Sequence, residues 1–194
     1  MSQMLGNQFN INVENVVASA DLHQNIDLES IVRAFPAVEY KPDQFPGLVY
    51  RLKKPSVATL VFRTGKLIVA GAKSEVRARR TVSKLVEEFK AQGIVILAKP
   101  DVTIRNVVAS ADLGYRIDLE DTANTLEGTI YEPDQFPGLI YRVKGSKVTM
   151  LIFSSGKLVC AGAASEVDAK KAVNDLFKTL AAKGLVPKSL DPSI

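Results

Sequence analysis

At 194 residues the chain is long enough for one large domain or two small ones. Its 46% hydrophobic and 24% charged residues are ordinary for a globular protein, and no apolar run approaches the ~20 residues that span a bilayer. A single cysteine, Cys160, excludes an internal disulfide and fits a reducing compartment, while the net charge of +4 is mild. Met1 to Asn10 lacks a basic stretch followed by an apolar one, so no secretory signal is expected.

In chain order, Val13 to Ala20 reads as a Val-rich strand bounded by Asp21. Asp27 is a candidate N-cap for a short helix, Leu28 to Phe35, which Pro36 stops. Val38 to Lys41 reads as a short extended piece and Pro42 to Gly47 as a loop with prolines at both ends. Leu48 to Lys53 and Val57 to Phe62 are expected to pair, and Thr64-Gly65 turns the chain into a further strand, Lys66 to Ala70. Ser74 then caps a long amphipathic helix to about Ala91, with Val76, Val82, Leu85, Val86 and Phe89 on one face and Gly93 ending it. After the connector Ala98-Lys99-Pro100-Asp101 the same steps recur, ending in a long helix from Ser165 to about Ala182.

The recurrence is literal. Asn15-Val16-Val17-Ala18-Ser19-Ala20-Asp21-Leu22 returns as Asn106 to Leu113, and Pro42-Asp43-Gln44-Phe45-Pro46-Gly47-Leu48 as Pro133 to Leu139. Both are offset by 91 residues, and 40 of the 79 positions from Asn15 to Gly93 match their partners without a gap. Such a repeat is one duplicated supersecondary unit with an internal pseudo-two-fold, for which a two-fold polymer such as duplex DNA is a natural partner. The charge is not duplicated: residues 11–93 hold 13 Lys/Arg against 9 Asp/Glu, residues 102–184 hold 10 against 10. Much of the excess lies at Lys73, Arg77, Arg79, Arg80 and Lys84, so the two halves present different surfaces.

Both alternating sets of side chains in Val57 to Phe62 and Leu67 to Ala70 are largely apolar, as in strands covered on two sides. One long and one short helix per repeat suffice for one face only, so an apolar face is left over as an interaction surface or a dimer contact. Little supports catalysis: His23 is the only histidine and has Gly114 as its repeat partner, so no metal site, no cofactor and no catalytic residue is expected. Cys160 reads as a small core residue.

The sequence resembles the TATA-box-binding proteins over about residues 9 to 186. Asn-Val-Val-Ala-Ser, Tyr-x-Pro-Asp-Gln-Phe-Pro-Gly-Leu-x-Tyr-Arg, Phe-x-x-Gly-Lys-Leu and Ala-Gly-Ala occur in family order in both copies. The resemblance implies an α+β saddle of two tandem repeats, 9–97 and 98–186, with a ten-stranded curved antiparallel sheet and four helices on its convex side. Residues 1–8 and 187–194 would be flexible termini. It implies a general transcription initiation factor, not an enzyme, that binds A·T-rich promoter DNA in the minor groove, kinks it and recruits transcription factor B and RNA polymerase. The alternative is a non-catalytic dimeric structural or ligand-binding domain that uses the apolar face as its interface.

By the same resemblance, Phe45 with Phe62 and Phe136 with Phe153 are the intercalating pairs. Phe45 and Phe136 also stand out from the residues, because each sits between Gln and Pro-Gly in a loop, where a core aromatic is not expected. Asn15 and Asn106 would donate to the adenine N3 and thymine O2 acceptors of the minor groove. Val17, Leu60, Ile68, Ala70, Val108, Leu151, Val159 and Ala161 would line the base-contacting face, with alanine at 70 and 161 where eukaryotic members usually carry threonine. Arg51, Lys66, Arg142 and Lys157 match phosphate-contacting positions. Tyr131, Glu132 and Asp134 would dock transcription factor B, with Gln135 where eukaryotic relatives have an apolar residue. The basic helix with Arg77, Arg79 and Arg80 is a candidate surface for regulators. No low-complexity N-terminal extension is visible and both loops carry Phe-Pro, which resembles the archaeal branch. The expected location is cytoplasm or nucleoid if archaeal, the nucleus if eukaryotic, with no membrane association.

Overall fold

A computed structural model describes residues 9–52 and 56–186. The expected flexible termini, 1–8 and 187–194, and the Lys53 end of one expected strand lie outside these residues. Two compact units form, residues 14–106 and residues 107–186 together with 9–13. Four helices and nine strands are found among the described residues.

The first unit holds most of β1 (Asn10–Asp21), then α1 (Leu28–Ala34), β2 (Gly47–Leu52), β3 (Val57–Phe62), β4 (Lys66–Ala72) and α2 (Glu75–Ala91). Its hydrogen-bonded order is β2-β3-β4-β1, antiparallel, with the opening of β5 (Asp101–Asp112) beside β1. The second unit holds the rest of β5, α3 (Leu119–Thr125), β6 (Thr129–Ile130), β7 (Gly138–Arg142), β8 (Thr149–Phe153), β9 (Lys157–Ala163) and α4 (Glu166–Ala182). Its order is β5-β9-β8-β7-β6, again antiparallel, with the opening of β1 beside β5.

The caps explain the helix starts. Asp27 accepts the backbone N–H of Glu29, Ser74 that of Arg77 and Ser165 that of Asp168, each supplying an acceptor to an otherwise orphaned N–H of the first turn. The hydrogen bond from the Ser30 hydroxyl holds the Asp27 carboxyl below the usual carboxylate range. Helix α2 buries Val82, Leu85 and Phe89 completely against the sheet, each such side chain contributing roughly 1.5–3 kcal/mol of transfer free energy. In α4, Val173 and Leu180 repeat that contact with no exposure.

The resemblance implied ten strands; the described residues form nine. Val38 to Lys41 makes only an isolated bridge, Glu39 with Val49, whereas the second copy forms β6 on β7 through Thr129–Tyr141 and Ile130–Ile140. Glycine accounts for the difference. Gly128 has φ +82, its carbonyl accepts the N–H of Arg142 at 2.9 Å, and a Cβ there would sit 2.9 Å from the Arg142 carbonyl oxygen. Ala37 occupies the matching position of the first copy, where a left-handed approach would strain an L side chain.

Strand β1 starts at Asn10, three residues before its expected start, and β4 runs two residues further, to Ala72. Between β1 and β4 the register shifts, from Val16 opposite Ala72 to Ala18 opposite Val69, and the same shift recurs between Val107–Ala163 and Ala109–Cys160. The extra residue falls where Gly71 and Gly162 adopt φ +94 and +88.

Candidate nucleic-acid interface

Each unit's sheet is covered by helices on one face only. In the first unit Val16, Ala18, Leu48, Val57, Val61, Leu67 and Val69 are buried under the helices. Their alternate neighbours Val17, Val49, Leu60, Phe62, Ile68 and Ala70 remain partly or fully exposed. The second unit repeats the pattern, with Val108, Ile140, Leu151, Phe153, Val159 and Ala161 all half-buried. The apolar base-contacting residues anticipated from the resemblance therefore share the uncovered face of their unit. Val49 and Ile140 join them, placed between buried Leu48 and Tyr50 in β2 and next to buried Leu139 in β7.

At one end of each face stands a phenylalanine pair. The rings of Phe45 and Phe62 lie 5.9 Å apart at 65°, and those of Phe136 and Phe153 lie 6.0 Å apart at 60°, both edge-to-face. Phe45 is 39% exposed and Phe136 38%, so these are not core rings. The loops that carry them fold tightly: the Lys41 carbonyl accepts the N–H groups of Gln44 and Phe45, and the Glu132 carbonyl those of Gln135 and Phe136.

Glycine makes room for the pairs, a role the sequence did not reveal. A Cβ on Gly47 would lie 2.7 Å from Phe45 Cε1 and 3.0 Å from Phe62 Cε1; on Gly138 the distances are 2.7 Å to Phe136 and 3.1 Å to Phe153. The nearest atom belongs to the far end of a movable side chain, so Gly138→Ala is expected to displace the Phe136 ring while leaving the strand intact. Thermal melting should shift little, and DNA bending measured by energy transfer should fall; an unchanged bend would show that ring placement is not set here.

Asn15 is half-buried on β1, and its Oδ1 accepts the N–H of Gly71 at 2.8 Å. With the oxygen held, the Nδ2 amide is left as the outward group, a donor. Asn106 is half-buried on β5. Lys66 and Lys157 are exposed at the first positions of β4 and β9. Arg51 and Arg142 are exposed as well, but Arg51 Nε donates to Glu39 Oε1 at 3.2 Å, an ion pair that a phosphate would have to displace. Such an exposed pair contributes about 0.2–1 kcal/mol, a small barrier to exchange.

Glu132 and Asp134 are exposed and Tyr131 is half-buried, on the same loop as Phe136. On α2, Arg77 and Arg80 are exposed, while Arg79 Nη1 donates to the Val102 carbonyl at 2.8 Å and so secures the chain entering β5. Among the described residues no group of three or more His, Cys, Asp and Glu is placed to hold a metal, and no helix is long and apolar enough to cross a membrane. Cys160 is fully buried on β9, and burial pushes its thiol up to about 11, out of nucleophilic range at neutral pH.

The family model for transcription factor TFIID, or TATA-binding protein, matches twice, over residues 10–91 and 101–182. The chain belongs to the TATA-box-binding protein family. The TATA-box-binding protein of Pyrodictium occultum is 50% identical over 169 residues, covering 87% of this chain and 85% of the relative. That of Archaeoglobus fulgidus is 48% identical over 180 residues, covering 92% and 98%. The solved structure of the Methanococcus jannaschii TATA-binding protein superposes with a TM-score of 0.83 at 47% identity, covering 89% of this chain and 99% of that one. The TATA-box-binding protein family is one of non-catalytic DNA-binding transcription factors.

Proposed function

We propose that this chain is a general transcription initiation factor that binds A·T-rich, TATA-box promoter DNA through the minor groove, kinks it, and recruits transcription factor B and RNA polymerase. The observation that carries this reading is the uncovered apolar face of each unit, ending in an exposed phenylalanine pair. An apolar sheet suits the floor of a widened minor groove, and phenylalanine wedges between base steps replace lost stacking and kink the duplex, a mode for which this family is itself a known example. The curated relatives carry the name TATA-box-binding protein, which supports the same DNA.

Preference for A·T follows from exclusion. The A·T minor groove offers only acceptors, which the Asn15 and Asn106 amides would satisfy, whereas guanine adds an N2 donor that would be buried unpaired against the apolar face. Each such orphaned donor costs about 1–3 kcal/mol. Ala70 and Ala161 bring no hydroxyl to the bases, so selectivity rests on this exclusion. Arg51, Lys66, Arg142 and Lys157 would hold phosphates and fix position without reading sequence. Tyr131, Glu132 and Asp134 would meet transcription factor B, and Arg77 and Arg80 a regulator. The protein would act inside the cell, where its DNA is.

A gel shift on TATA-like against G·C-rich duplexes, with light scattering on the free protein, tests the reading. Selective, bending binding supports it; a stable dimer indifferent to DNA overturns it in favour of a self-association face. Within it, changing Lys66 and Lys157 to alanine is expected to weaken binding to all sequences alike and to lower the slope of log K against log salt by about 0.9 per lost phosphate. A changed A·T preference at constant slope would make these lysines base readers.

A further inference from the structure

On the strands of the proposed DNA face, the position before each asparagine inverts its charge between the two copies. The repeat offset of 91 pairs Arg105 with Glu14, an exchange of a positive for a negative charge beside Asn106 and Asn15. Arg105 is exposed at the edge of a groove of about 580 Å³ in the first unit, lined also by Ser19, Phe62, Lys66 and Thr103. Its Nε donates to Ser19 Oγ at 2.7 Å, which restrains the guanidinium plane and engages one of its five N–H donors. Among the described residues it forms no ion pair.

The acidic groups of the groove are otherwise engaged. Asp101 Oδ2 lies 2.8 Å from His23 Nε2, and Asp21 Oδ1 accepts the His23 N–H at 2.8 Å. Among the groove's described lining residues, Lys66 and Arg105 are thus the cations not committed to its own carboxylates, beside Phe62, one of the four phenylalanines proposed to enter the DNA. The matching groove of the second unit, about 710 Å³ beside Phe153, is lined by Asn10 and Asn12 where the first has Asp101 and Thr103, and among the described residues Lys157 is its only lining cation. Glu14 carries the opposite charge, and Lys73 Nζ lies 3.2 Å from its Oε2.

We propose that Arg105 is a further phosphate-contacting residue, present in one half of the duplicated face only, so that the protein holds one DNA backbone position more firmly than its symmetry mate. This rests on the DNA-binding reading above and goes beyond it by assigning the asymmetry of the contact to the Arg105 and Glu14 pair. A uniformly charged backbone cannot reveal such an asymmetry, because turning the protein around exchanges equal phosphates. A backbone with one neutral linkage can.

The test uses the full chain and a palindromic A·T-rich duplex. Arg105→Ala is expected to weaken binding several-fold at moderate salt and to lower the salt slope by about 0.9, whereas Glu14→Ala leaves the slope unchanged and strengthens binding. Single methylphosphonate linkages are then stepped along one strand. At the phosphate Arg105 holds, the wild type should choose the orientation that puts Arg105 on the intact symmetry mate and Glu14 at the neutral linkage. Orientation is read by energy transfer from a dye on Ala91→Cys, Cys160 being buried. Arg105→Glu should lose the bias, and the exchange Arg105→Glu with Glu14→Arg should reverse it. An Arg105→Ala variant with unchanged slope, or a wild type evenly oriented at every linkage, overturns the proposal while A·T binding stands. A wild type without A·T preference overturns both readings.

Discussion

The Phe136→Ala, Phe153→Ala double variant is expected to hold A·T-rich DNA nearly straight while keeping a large part of its affinity. The two rings meet edge-to-face at 6.0 Å beside Gly138, so they form one wedge, and removing both avoids leaving half of it. Smooth elastic bending of a 20–30 base-pair site by a large angle costs on the order of 1–6 kcal/mol, which a wedge reduces by concentrating the bend at an unstacked step. Without it the duplex is expected to keep its stacking, and binding to rest on the proposed phosphate contacts of Lys66, Lys157, Arg51 and Arg142. The fold should tolerate the change because Phe136 is 38% exposed and Phe153 half-buried on the uncovered face. Bend angle by energy transfer, set against affinity by titration, separates the two effects. A bend equal to wild type would remove these residues from the intercalating role.

Glu132→Lys combined with Asp134→Lys is expected to leave binary DNA binding nearly intact and to abolish most of the ternary complex with transcription factor B. Both side chains are exposed, and the loop is held by the Glu132 carbonyl, which accepts from Gln135 and Phe136, so the backbone turn survives the exchange. The first loop already carries Lys41 at the position matching Glu132, which shows that the turn accommodates lysine. Like charges brought together across an interface cost several kcal/mol, enough to reduce the ternary complex by two or more orders of magnitude. A ternary gel shift at constant DNA occupancy measures it. Full recruitment by the charge-reversed protein would move the docking surface elsewhere.

The helices were legible because their signals are local. Asp27, Ser74 and Ser165 cap where expected, and the apolar stripe of α2 packs from Val82 to Phe89, while Val76, expected on the same face, is exposed in the first turn. Strand β3 was legible as a short apolar run ending at a Thr-Gly turn, and the repeat made each element readable twice. What escaped depends on the backbone of a distant residue. Val38 to Lys41 looked extended, yet pairing needed the left-handed turn that Gly128 provides and Ala37 does not. The engagement of Arg51 by Glu39 and the room that Gly47 and Gly138 leave for rings are contacts between elements, with no trace in spacing. Within the candidate site, residue types and faces were readable, while the partners that aim Asn15 and Arg105 were not.

The bond between Asn15 and Gly71 would bear on the entropy of the proposed DNA binding as well as its selectivity. A free asparagine amide rotates, and immobilising such a side chain at an interface costs about 0.5–1.5 kcal/mol. In this protein the irregularity between β1 and β4 already fixes that amide, with the Gly71 N–H 2.8 Å from its oxygen, so the ordering has been incurred during folding rather than at the encounter with a ligand. An Asn15→Ser variant, still able to donate but no longer tethered, should therefore show its deficit chiefly in the entropy of association by calorimetry.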